Sequence, residues 1–200
     1  MNSINKLFLE HTKAFFLISF FSGIAVVLII VGVFYLKDAN KMAQLGEVYA
    51  DWQVVTGQIS AFTARLPGET EYATQDFPLQ DSEQVMRQEM YVGSDSVLSY
   101  FVSATLYPSE ISGDEEGNLR EAIKGSVQAV PDGLEVFANY KVPFRGANFL
   151  EYKIYSPPTN TAYQGRAFLV GNTLYQIYAS FEEEDYNDDA YTYFANSFSF

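Results

Sequence analysis

LSYFVSATLYPSEISGDEEGNLREAIKGSVQAV, residues 98–130, changes its hydrophobic period midway, and that change sets the fold class. Leu98, Tyr100, Val102, Ala104 and Leu106 alternate with Ser99, Phe101, Ser103 and Thr105. This is the period-two pattern of a half-buried antiparallel strand, which Pro108 ends. Beyond a turn-rich stretch, Leu119, Ala122, Ile123, Val127 and Val130 recur at helical spacing, which predicts an amphipathic helix over Glu115–Val130. Asp114, Glu115 and Glu116 put negative charge at the positive end of its dipole, and Pro131-Asp132-Gly133 stops it.

Downstream, alternation returns. Leu134 to Val142 reads as a strand closed by Phe144-Arg145-Gly146, and Leu150, Tyr152 and Ile154 mark a second. After the proline turn at Ser156–Thr159, Ala162–Val170 and Thr173–Phe181 form a hairpin around Gly171-Asn172, with glycine supplying the positive φ. Ala190, Phe194 and Phe198 stand four apart on a closing helix whose start is rich in Asp and Asn. Upstream, Ile59–Leu66 and Val85–Val92 alternate as strands, Gln88 breaking the apolar row of Met86, Met90 and Val92; Gly68–Ser82 is polar and reads as a long loop. The expected order is three strands, a helix, four strands and a helix: an α+β domain with a mostly antiparallel sheet of about seven strands over residues 57–200.

Two segments precede this domain. Ala14–Leu36 holds no charge. At ~1.5 Å per residue it reaches about 34 Å, slightly more than a bilayer's hydrocarbon core. It is longer than the apolar core of a secretory signal peptide, and Lys37-Asp38-Ala39-Asn40-Lys41 offers no prompt cleavage site, so it reads as an uncleaved transmembrane helix. Lys6 and Lys13 on one side balance Lys37 and Lys41 on the other. The short tail 1–13 against a long domain places the tail in the cytoplasm and the domain outside it. Residues 37–56 read as a stalk, helical over Ala39–Val55, with Met42, Leu45, Tyr49 and Trp52 on one side and Trp52 packed against the domain.

The chain carries 25 Asp and Glu against 12 Lys and Arg, a net charge of −13, and only Glu10 of the acids precedes the apolar segment. Nucleic acid is therefore excluded as a partner, because no basic cluster exists to meet phosphates. There is no cysteine, which removes disulfides and thiolate chemistry. The one histidine, His11, lies across the anchor from the domain, so no Ser-His-Asp triad or His-bearing zinc site forms within it. No GxSxG, P-loop or GxGxxG motif occurs, and no catalytic or cofactor residue is assigned.

Asp185, Asn187 and Asp189 match the first three ligand positions of a calcium-binding EF-hand loop. Ala190 then stands where the loop needs glycine, and Asn196 where it needs a bidentate Glu, so the run from Glu182 reads instead as a solvated helix start. Phe101, Phe137, Phe149 and Tyr155 lie opposite the inferred core, in positions that a second layer covers, and Arg87, Arg145 and Arg166 are expected to pair with carboxylates.

FTARLP (62–67) running out of a strand, the central helix, the hairpin FLVGNTLYQIYAS (168–180) and the closing YFANSF (193–198) resemble small bacterial domains of the PsbP-like α/β/α sandwich type. The resemblance covers about residues 57–200 and implies an antiparallel sheet between helices in a non-enzymatic accessory domain acting through binding or assembly. It supplies no catalytic residue. The resulting expectation is a membrane-anchored extracytoplasmic domain, bound to the lipid bilayer through residues 14–36, that engages another envelope protein. A carboxylate-based hydrolase and a calcium-responsive surface domain are the alternatives.

Overall fold

Alternating apolar rows become strands wherever one side can be buried, and the computed structural model shows how many sides there are. It describes residues 41–78, 84–144 and 146–200, without the side chains of 142–144. The tail 1–13, the span 14–36 and Arg145 lie outside the described residues, among which no helix is long and apolar enough to cross a membrane. The chain divides into two units, residues 1–48 and 49–200. In the first, residues 41–48 are helical (α1).

The second unit holds β1 (Gln53–Thr56), β2 (Thr63–Leu66), β3 (Glu71–Pro78), β4 (Val85–Ser94), β5 (Ser99–Leu106), α2 (Glu115–Ala129), β6 (Leu134–Phe144), β7 (Ala147–Ser156), β8 (Thr161–Val170), β9 (Thr173–Glu182) and α3 (Asp188–Ser197). The domain is α+β, as the change of period at residue 108 implies. A seven-stranded sheet runs β3-β4-β5-β9-β8-β7-β6, antiparallel throughout, beside a separate antiparallel pair β1–β2.

Two sequence expectations are corrected. The helix read over Ala39–Val55 stops short: after a turn at 49–51 the chain enters β1, where Val54-Val55-Thr56 is a β-branched run that favours an extended backbone. Trp52 is buried, its ring 4.9 Å from Tyr100 and 5.5 Å from Tyr193. The loop read over Gly68–Ser82 contains β3, an edge strand paired with β4 over eight residues in unbroken register. Its side chains are exposed on both sides except Phe77, so the alternation that marks a half-buried strand is absent from its sequence. Five strands therefore precede α2, not three.

The two sheet faces are covered differently. α2 crosses one face over β6, β7 and β8, burying Leu119 and Ile123 against Leu150, Tyr152, Ile154 and Ala167. Asp114 caps it, Oδ2 accepting from Gly117 N–H at 3.0 Å. The opposite face carries α3 and the β1–β2 pair. Phe194 meets Tyr100 at 5.2 Å, and Phe198 stacks on Phe62 and Phe168 at 6.0 and 5.5 Å. The chain end is clasped to β2 by paired backbone hydrogen bonds between Thr63 and Ser199. The apolar row of β5 (Tyr100, Val102, Ala104) thus faces α3, while that of β7 (Leu150, Tyr152, Ile154) faces α2.

Candidate binding groove

Pairing registers decide what meets on the α2 face. Gln88 and Met90 of β4 stand beside Thr105 and Ser103 of β5, and Ser103 and Phe101 stand beside Gln176 and Tyr178 of β9. Tyr178 in turn neighbours Gly165 of β8, opposite Tyr152 of β7. Since α2 lies over β6 to β8, its last turn ends as a wall above this row. Ser126, Ala129 and Val130 form one side of a groove of about 200 Å³, Gln88 and Met90 the other, with Ser103, Gln176 and Tyr178 between.

Glycine at 165 shapes the groove floor. A Cβ there would stand 2.5 Å from Ile177 O, 2.6 Å from Tyr178 Cβ and 2.7 Å from Tyr152 Oη. Only a residue without a side chain lets the Tyr152 ring lie across β8 with its hydroxyl beside Tyr178. The Tyr178 ring stacks on Phe101 at 4.6 Å, nearly parallel. Burial pushes the Tyr178 hydroxyl up to about 12, with the Tyr163 hydroxyl adding to the shift. Tyr152 is raised well above the ordinary tyrosine range by burial first and by Tyr178 second. Both hydroxyls are therefore neutral donors at physiological pH. The amides are oriented: Gln176 Nε2 donates to Ser126 Oγ at 3.2 Å, and Gln88 Nε2 to Thr105 Oγ1 at 3.3 Å. Among the described residues, no charged side chain lines the groove.

A second cleft of about 350 Å³ lies at the other end of α2, between Ile111, Asn118, Glu121 and Leu169. There Asn118 already donates to Ser112 O at 3.3 Å.

The α3 face holds the carboxylate that sequence reasoning missed. Glu89 is fully buried, and its two oxygens accept backbone N–H groups from Gln58 (2.8 Å), Ile59 (3.1 Å) and Ser60 (2.7 Å), fixing the β1–β2 connection. Tyr91 Oη donates to Thr56 O at 2.8 Å and Tyr175 Oη to Ala61 O at 3.2 Å, fastening the same loop. Tyr91, an aromatic in the row opposite Met86 and Met90, was the available signal that this row too faces a buried layer.

The calcium candidates are placed at the start of α3. Asp185 ends a short 3-10 turn, and Asn187 is the helix cap, its Oδ1 accepting from Asp189 N–H and Ala190 N–H at 3.1 Å each. Asp185, Asn187 and Asp189 are exposed, and no group of three or more His, Asp or Glu able to hold a metal occurs among the described residues. Arg87 pairs with Asp76 at 3.0 Å, and Arg166 lies 3.6 Å from Glu151, which also meets Lys141 at 2.8 Å.

The four aromatics placed opposite a single core divide between the faces. Phe101 belongs to the groove side; Phe137, Phe149 and Tyr155 belong to the α3 side, where Phe149 is buried against Phe168 and beneath Arg166. Compared with known proteins, the chain matches no protein-family model and no curated protein.

Proposed function

We propose that this chain is a single-pass membrane protein that holds an accessory binding domain outside the cytoplasm, of the PsbP-like kind, and works by engaging another protein of the envelope through the open part of the α2 face. The apolar, charge-free segment 14–36 supports the anchor. The observation that carries the binding role is the half-covered face. α2 shields β6 to β8, while Met90, Val92 and Phe101 of β4 and β5 remain partly exposed in a row without a charged side chain between them. A sheet face with apolar rows and no covering layer among the described residues is what a partner buries.

The test is site-specific photo-crosslinking of the full chain in native membranes. A crosslinker at Val92 captures one defined envelope protein, and one at Lys141, on the β6 edge and the α3 face, does not. Equal capture from both positions, or none from either, ends the reading. Protease added to intact cells removes residues 60–200; complete protection places the domain on the other side.

A further inference from the structure

We propose that the groove between the last turn of α2 and strands β4, β5 and β9 binds a single uncharged sugar ring. The inference shares the open α2 face with the proposed function but needs no protein partner, and the two stand on separate experiments.

Three observations converge. The first is charge. In a chain with 25 acidic residues, a recognition site for a cation would be expected to use them, and one for an anion would need Arg or Lys. Among the described residues the groove has neither, so they offer nothing to an ionised ligand beyond the loss of its hydration. The second is polarity left over. Tyr152 is 2 % exposed, and its hydroxyl has no hydrogen-bond partner among the described residues, while it lines the groove. That hydroxyl, held there by the vacancy at Gly165, is not sealed in the interior but opens onto the groove, where an occupant able to accept its proton takes the place of water. The Tyr163 and Tyr178 hydroxyls stand alongside it, also without a partner among the described residues. With their Nε2 groups engaged, Gln88 and Gln176 present amide oxygens as acceptors. Donors and acceptors in alternation, with no charge, match vicinal sugar hydroxyls, each of which both donates and accepts.

The third observation is size and lining. About 200 Å³ is small for a ligand site, enough for one ring and not for a dinucleotide or an extended peptide. Met90, Val130 and Ile154 supply apolar surface for the C–H face of the ring.

The full chain in detergent micelles carries its own reporter. It has four methionines, of which Met90 alone lines the groove, so ¹³C-labelled methyl groups read occupancy at one site against three internal controls. Titration with N-acetylglucosamine moves the Met90 methyl saturably, with millimolar affinity and little change at Met1 and Met42. Glucuronate and glucosamine, the anionic and cationic counterparts, bind at least about tenfold more weakly. Tyr152→Phe, which keeps the ring and removes the hydroxyl, weakens binding about tenfold, and Tyr178→Phe about threefold. Dispersed methyl signals in each variant show that it is folded. A Met90 signal that ignores neutral sugars, that answers the charged pair equally, or that is indifferent to both tyrosine substitutions overturns the proposal. If capture at Val92 persists while no sugar moves Met90, the sugar site falls and the protein-binding face stands; the reverse result separates them the other way.

Discussion

One sheet carries two faces that were finished differently. On the α3 side, Phe62, Phe168, Tyr175, Phe194 and Phe198 interlock under a helix and a two-stranded lid, and the buried Glu89 carboxylate has both oxygens engaged by backbone N–H groups. On the α2 side, a single helix covers β6 to β8 and stops, leaving amides, hydroxyls and apolar side chains together in a groove. The difference separates two uses of the same residue types. On the α3 face Tyr91 and Tyr175 donate to backbone carbonyls of the β1–β2 connection, while the Tyr191 hydroxyl is sealed in without a partner among the described residues; the groove tyrosines also lack a partner among the described residues, but at an opening. Satisfied polar groups hold structure, and unsatisfied ones at an opening invite a ligand.

If the α3 face is the structural core, its breakage is the largest effect available. Phe198 is fully buried among four other rings, and Phe198→Ala removes their common contact for about 3 to 5 kcal/mol of stability, read as a lowered urea midpoint with an unchanged slope. A loss under about 1 kcal/mol would mean that α3 and its tail are not part of the cooperative unit. Glu89→Gln comes next. The amide keeps the shape but offers one acceptor oxygen where the carboxylate offers two, leaving at least one loop N–H in the interior unpaired. The expected loss is about 2 to 3 kcal/mol, with faster amide exchange at Gln58, Ile59 and Ser60.

Much of this architecture was legible in the residues, and the omissions have physical causes. Strand β5, helix α2 and the β8–β9 hairpin follow from period and turn chemistry within a few residues of their bounds. Strand β3 escaped because a strand exposed on both sides has no apolar period, and β1 because four residues are too few to show one. The exchange of faces between β5 and β7 was illegible for a deeper reason. Alternation says which residues of one strand share a side, and says nothing about which side of the sheet that is until pairing is known. Phe101 and Phe149 therefore look equivalent in sequence and end on opposite faces. The groove left one trace, Gln88 breaking the apolar row of Met86, Met90 and Val92. Tyr152 left none, because in the row Leu150-Tyr152-Ile154 it reads as core.

Alkaline pH sharpens the contrast at intermediate size. Burial raises Tyr178 to about 12 in the folded chain, against an ordinary value near 10 in the unfolded one. Below pH 10 the hydroxyl is protonated in both states and its contribution is constant. Between pH 10 and 12 the unfolded chain releases the proton first, so stability falls as pH rises. The loss from this residue is on the order of 1 to 2 kcal/mol at pH 12, and Tyr178→Phe flattens that part of the slope in urea titrations run at each pH. A slope unchanged by the substitution would place the hydroxyl in water and remove the groove's enclosed floor.

The smallest expected effect discriminates best, because it compares adjacent residues of β4 that point to opposite faces. Gln88 makes one hydrogen bond, to Thr105 Oγ1, and is half-buried in the groove wall; Glu89, its neighbour, is sealed beneath the loop. Gln88→Leu preserves most of the volume and leaves Thr105 close enough to solvent to replace the lost partner with water, so stability changes by no more than about 0.5 kcal/mol. The same substitution removes an acceptor oxygen from the groove, and the Met90 methyl response to N-acetylglucosamine weakens several-fold. A stability cost approaching that of Glu89→Gln would show that the α2 face is packed as tightly as its opposite, and the distinction between a finished face and an open one would be lost.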